Sequence, residues 1–148
     1  MKTPRELSPY ECLQLIQDGG VGRVALCTPT GPMIYPLNFA VDGKSIVFRT
    51  TPHGTLGSLR WGLDVAFEVD QLDWNTRQGW SVVAKGRAEV IDDPDEVARL
   101  RETGHEPRPW ASGMRRIYVR LTWTELTGRV VGEEWLSSSP PATQGWNM

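Results

Sequence analysis

The chain has 148 residues, 16 Lys and Arg against 18 Asp and Glu, and a formal charge of −2. Apolar residues make up 39%, and 15 glycines bring that to about half, the composition of one globular core and not of a disordered chain. The faintly acidic balance is wrong for a dedicated nucleic-acid binder, no apolar run approaches the ~20 residues of a membrane helix, and Met1 to Glu6 lacks a signal-peptide core, so the expectation is a soluble cytoplasmic protein.

The first element is a helix. Ser8 is its N-cap, Pro9 its first turn, and Glu11 completes a capping box, with Leu7 and Cys12 as a hydrophobic staple. Cys12, Leu13 and Ile16 form its apolar face, and Gly19-Gly20 stops it. Arg23 to Thr28 reads as a short strand, and Pro29-Thr30-Gly31-Pro32 as a turn. Met33 to Val41 and Ser45 to Thr50 are strands flanking the hairpin signal Asp42-Gly43-Lys44. Pro36 cannot donate a ladder hydrogen bond, which places its stretch at an edge, a bulge or an opening.

Thr55 to Trp61 reads as two helical turns with Leu56 and Leu59 inward. Val65, Phe67 and Val69 alternate with Ala66, Glu68 and Asp70, the period of a half-buried strand. Gly79 to Ile91 is a long strand, with Gly86 a candidate bend. Asp93, Pro94 and Glu96 open a second helix carrying Val97 and Leu100 and ending near Gly104. A loop leads to a last strand, Ile117 to Leu126. Residues 1–136 form one domain, and 137–148 a loose tail. The fold class is mainly β: about six antiparallel strands in a small barrel, with two or three short helices packed on it.

Phe48-Arg49-Thr50-Thr51-Pro52-His53-Gly54-Thr55-Leu56 carries the clearest chemistry. A strand ends in an arginine and two threonines, and a glycine loop then opens a helix whose free N–H groups suit a phosphate. Arg49 supplies a bidentate charged donor, and Thr50, Thr51 and Thr55 supply hydroxyls. The competing reading is a plain strand–turn–helix with Arg49 on a solvated face. On Gln78-Gly79-Trp80-Ser81, Ser81 offers a hydrogen bond to a heterocycle edge and Trp80 a wall, or a core residue. In Tyr35-Pro36-Leu37-Asn38 the Asn38 amide both donates and accepts.

In chain order, Gly22-Arg23-Val24-Ala25, Pro36-Leu37-Asn38-Phe39, Val47-Phe48-Arg49-Thr50, Val65-Ala66-Phe67-Glu68-Val69-Asp70, Gly79-Trp80-Ser81-Val82 and Gly86-Arg87-Ala88 resemble the pyridoxamine 5′-phosphate oxidase-like family, in its small bacterial flavin-binding branch. The resemblance spans roughly residues 6 to 130. It implies a split β-barrel and a homodimer with two cofactor sites at the subunit interface. It also implies FMN as cofactor, or in some branches a deazaflavin or haem. By the same resemblance, the isoalloxazine edge meets Pro36, Leu37, Asn38 and Phe39. Arg49, Thr50 and Thr51 hold the phosphate and ribityl chain, and Ser81 with Trp80 reaches the flavin from the later strand. Arg129 matches the end of the family's final strand, where a cation favours an anionic reduced flavin. One departure stands out: Thr55 occupies a position where relatives carry lysine, which removes a point charge from the phosphate site.

The implied function is an FMN-dependent oxidoreductase acting on a small substrate. Two rivals are a deazaflavin-binding reductase, with His53 and Arg60 near the longer acidic tail, and a non-catalytic module whose site has decayed. His53 and His105 read otherwise as turn or structural residues, with no paired pattern for haem. Cys12 and Cys27 match neither a disulfide framework nor a zinc site, and Glu68, Asp70 and Asp73 are split between sheet faces. Residues 99–129 hold seven Arg and three Glu, and Arg115, Arg116 and Arg120 either draw an anion to a cleft or form a salt-bridged surface.

Overall fold

The computed structural model describes residues 3–52, 56, 61–110 and 114–132. Among them are seven strands and two helices: β1 (Arg5–Leu7), α1 (Pro9–Ile16), β2 (Gly20–Thr28), β3 (Gly31–Asp42), β4 (Ser45–Thr50), β5 (Leu63–Asp73), β6 (Gln78–Val90), α2 (Pro94–Thr103) and β7 (Ile117–Val131). All strand pairs are antiparallel, in the order β1-β7-β4-β3-β2-β5-β6, and β6 also pairs with β7. Strands β2 to β7 therefore close on themselves. The result is the mainly β barrel expected from the alternation, with β1 as a seventh strand beside the end of β7. The two helical turns expected at Thr55 to Trp61 and the tail at 137–148 lie outside the described residues, apart from Leu56 and Trp61.

The helix starts are as the sequence dictates. The Ser8 hydroxyl accepts from the Glu11 N–H at 3.2 Å, and the Glu11 carboxylate accepts from the Ser8 N–H at 3.0 Å. Asp93 caps α2 by accepting from the Asp95 N–H, and Gly104 ends it with a left-handed φ of 77°. Helix α1 buries Cys12 and Ile16 against the barrel. Leu100 of α2 covers Val47 and Tyr118 on the outer face of β4 and β7.

Inside, Phe67 meets Phe39 edge-on at 5.3 Å between ring centroids and Phe48 in a stacked arrangement at 6.0 Å. Gly22 makes room for this cluster: a Cβ there would stand 2.2 Å from the Phe67 ring. Gly22-Arg23-Val24 and Phe67-Glu68-Val69-Asp70 are thus one unit. Phe67 fills the space over Gly22, and outside Arg23 lies 3.6 Å from Glu68 and 3.4 Å from Asp70. The bend expected at Gly86 is a bulge, where the β6–β7 register shifts between Lys85 and Gly86. Pro36 lies opposite Arg23 of β2, in the half of β3 that β4 does not reach, because β4 pairs only with Phe39 to Asp42. A free edge there is what its missing N–H predicts.

Candidate functional site

The period of two sorts the predicted residues by face. Phe39, Thr50 and Trp80 are buried, at 3%, 3% and 5% exposure, and Leu37 packs against the same core. Their side chains belong to the barrel interior. A strand sends neighbouring residues to opposite faces, so Phe39, Thr50 and Trp80 face away from Asn38, Arg49 and Ser81. Pro36, Asn38, Arg49 and Ser81 stay on the outside or half-buried. Thr51 is half-buried, and Thr55 and His53 lie outside the described residues.

The outward residues form two groups. In the first, Asn38 of β3 and Arg49 of β4 lie directly beyond the Phe39–Phe48 pair, which sets them side by side where the β3–β4 pairing stops. The Asn38 carbonyl oxygen accepts from the Trp110 N–H at 3.0 Å, so the loop after α2 closes over this corner. The Arg49 guanidinium donates from Nε to the Arg115 carbonyl at 3.0 Å and from Nη1 to Glu106 at 3.1 Å, and lies 4.7 Å above the Tyr118 ring. Tyr118 donates its hydroxyl to the same Glu106 oxygen and accepts from Arg101 Nη2 at 3.2 Å. Burial, with the Glu106 hydrogen bond, raises the Tyr118 pKa and keeps the phenol neutral. A cleft of about 760 Å³ opens here, lined among others by Arg49, Arg101, Arg115, Arg116, Tyr118 and Asp92.

In the second group, Ser81 of β6 stands between Asp70 of β5 and Arg129 of β7. A cleft of about 710 Å³ runs from Ser81, Trp80 and Arg129 to Trp74 and Arg77 at the β5–β6 turn. Between the groups lie Arg23, Glu68 and Asp70. One Glu68 oxygen is buried without a hydrogen-bond partner, and burial, reinforced by Asp70, pushes its pKa up to about 7. Three inter-strand steps, at ~4.8 Å each, separate Asn38 from Ser81 along a convex surface. One chain therefore gathers Pro36, Asn38 and Arg49 at one place and holds Ser81 and Arg129 at another.

Sequence reasoning missed Glu106, Tyr118 and Arg101. Arg115-Arg116 was visible as a basic pair, but only the β4–β7 register brings it beside Arg49. Arg120 is a structural residue instead: it bonds Asp42, Ser45 and Glu96. No described helix is long and apolar enough to cross a membrane.

The comparisons agree with this frame. The chain is 32% identical over 134 residues to the uncharacterized protein Rv0080 of Mycobacterium tuberculosis, covering 86% of each. A solved structure from Corynebacterium glutamicum superposes with a TM-score of 0.73 and 32% identity over 88% of this chain and 96% of that one. An FAD-binding protein from Mycobacterium smegmatis superposes at 0.70, with 29% identity over 85% of this chain and 97% of that one. The family model for pyridoxamine 5′-phosphate oxidase matches residues 8–130, from the cap of α1 to the end of β7, and the chain belongs to that family.

Proposed function

We propose that the chain is a flavin-dependent oxidoreductase working as a homodimer, with the FMN moiety held between the outer faces of two barrels. One observation carries the reading. The outward-facing candidates fall in two groups, Pro36, Asn38 and Arg49 on one side and Ser81 with Arg129 on the other, and they flank a stretch of barrel exterior, over β2, β5 and the first half of β3, that neither helix covers. Side chains on a convex surface diverge, so a ligand touching both groups needs a second convex surface facing the first. Ile34, 67% exposed, Pro36 and the small residues Ala25 and Ala66 make that face flat and apolar enough to take one.

The residues present suit the group. Arg49 meets the phosphate with a charged fork, and Thr51 and the helix start expected at Thr55 add N–H and hydroxyl donors. Pro36 and Asn38 border the ring, and Ser81 with Arg129 of the second copy reaches it from the other side. When bound, the flavin supplies hydride or electron transfer between a reduced nicotinamide and a small oxidant. The chain positions the ring and excludes water, and Arg129 places a cation where negative charge develops on reduction. The relative of Mycobacterium smegmatis that binds FAD supports a flavin as the ligand.

The test is retention of FMN by the purified protein, read from its visible spectrum, in wild type and Arg49→Ala. Losing a charge-assisted hydrogen bond to phosphate is worth about 2 kcal/mol, so affinity falls roughly thirtyfold. A wild-type protein that takes up no FMN, or equal affinity in the variant, overturns the reading; uptake of a deazaflavin in preference to FMN transfers the site to that coenzyme.

A further inference from the structure

The cleft around Arg49 carries more positive charge than one phosphate needs. Among the described residues, Arg49, Arg101, Arg115 and Arg116 line it against the single carboxylate of Asp92, with Glu106 paired to Arg49 and Arg101 at its side. Arg49 gives its Nε to the Arg115 carbonyl and its Nη1 to Glu106, which leaves Nη2 for a ligand, and Arg101 turns to Glu106 and Tyr118; both already have oxygen acceptors. Arg115 and Arg116 have none among the described residues: the buried Arg115 Nε has no hydrogen-bond partner, and Arg116 reaches only the thioether of Met114, at 3.3 Å. A buried guanidinium N–H without an acceptor costs about 1–3 kcal/mol, and native structures keep such groups where something else completes them. A thioether is a weak acceptor. The space is adequate: about 760 Å³ falls within the ~300–1,000 Å³ of small-ligand clefts.

We propose that Arg115 and Arg116 form a second anion subsite, beside Arg49, that takes a diphosphate: the linking group of a dinucleotide. Two adjacent phosphates match two sets of guanidinium forks, whereas a monophosphate on Arg49 leaves Arg115 and Arg116 unmatched. The inference rests on the reading that Arg49 meets the cofactor's phosphate. The diphosphate has two sources: the cofactor itself, as a flavin dinucleotide, or a reduced nicotinamide dinucleotide brought as substrate.

Calorimetry with inorganic pyrophosphate and orthophosphate tests the site in the full-length protein. The expected result is pyrophosphate binding at least ~tenfold tighter than orthophosphate, with the preference lost in the Arg115→Gln/Arg116→Gln double variant and reduced but still present in Arg115→Lys/Arg116→Lys, which keeps the charge and loses the forks. Circular dichroism and a wild-type unfolding midpoint establish that each variant is folded. FMN, FAD and NADPH then assign the source. A preference for FAD over FMN that collapses in the Gln variant places the cofactor's own diphosphate here. Equal flavin affinities, with NADPH binding that pyrophosphate competes away, place the substrate's. Pyrophosphate preference without uptake of either flavin keeps the diphosphate site and removes the flavin reading. No preference, or one that survives in the Gln variant, overturns the proposal.

Discussion

Glu68 shows how one residue's surroundings reach the behaviour of the molecule. Its carboxyl sits on the outer face of β5 with one oxygen buried and not hydrogen-bonded among the described residues, next to Asp70 and faced by Arg23 at 3.6 Å. Burial is the main cause of its pKa of about 7, followed by the hydrogen bond and charge of Asp70. In the unfolded chain the same group titrates near 4.5. Between those values the native state holds a proton that the unfolded state has lost, so this contribution is intact below about pH 4.5 and fades as pH rises through 7. Glu68→Gln, which keeps the shape and removes the titration, is expected to hold its urea midpoint between about pH 5 and pH 8 while wild type falls. Equal slopes in the two proteins assign the loss to another group. The direction is diagnostic, because Glu11 and Asp42 are shifted the opposite way and lose their contributions as pH falls.

At the scale of elements, α2 is the piece whose attachment is most specific. Arg120 of β7 donates to Asp42 at 2.9 Å, to Glu96 of α2 at 2.7 Å and to Ser45, while Arg99 of α2 reaches Asp42 at 2.6 Å. Burial alone would raise the Asp42 pKa, but the hydrogen bonds from Arg99, His105 and Arg120 outweigh it and hold the carboxyl below its usual range. Arg120→Met removes the shared cation and leaves Asp42 only 12% exposed on the remaining partners, so unfolding should cost about 2–4 kcal/mol less. A change under about 0.5 kcal/mol in chemical denaturation means the apolar contacts of Leu100 alone hold the helix. Both helices were legible because caps are local: Ser8 with Glu11, and Asp93 with Gly104, act within one turn. The long strands were legible from alternation, and the open edge at Pro36 from a missing donor. Strand β1 was not, since three residues carry no period and its pairing with Gly128 to Val130 is purely tertiary. The site was half legible for the same reason. Arg49 was readable as a candidate anion ligand, but its carboxylate partner stands 57 residues further along the chain. The resemblance placed Phe39, Thr50 and Trp80 at the cofactor, and the parity of their strands buries those side chains.

For the molecule as a whole, what matters is the part of the barrel exterior that neither described helix covers. Helix α2 covers β4 and the start of β7, and α1 packs against the other end of β7. The outer residues of β2, β5 and the first half of β3 have neither cover, and there Ile34 is 67% exposed opposite Ala25, itself opposite Ala66. Ile34 contributes little to the fold of the isolated chain, because most of its surface already meets water; replacing it changes stability by under about 1 kcal/mol, the span of strand propensity. In a dimer built on this face the same position is buried against a second copy. A carboxylate there would lose its hydration without gaining a partner, a cost of several kcal/mol per carboxylate that a two-fold axis doubles within the one interface. Ile34→Asp is therefore expected to turn a dimer into a monomer in sedimentation at low micromolar concentration, with its circular dichroism unchanged. On the proposed function FMN retention should fall with it, although the substitution touches neither Arg49 nor Ser81, because that reading forms the flavin crevice only between two barrels. A variant that stays dimeric puts the interface elsewhere. A monomeric variant that binds FMN as tightly as wild type shows that one barrel is enough, and the two outward groups of candidate residues then serve different ligands.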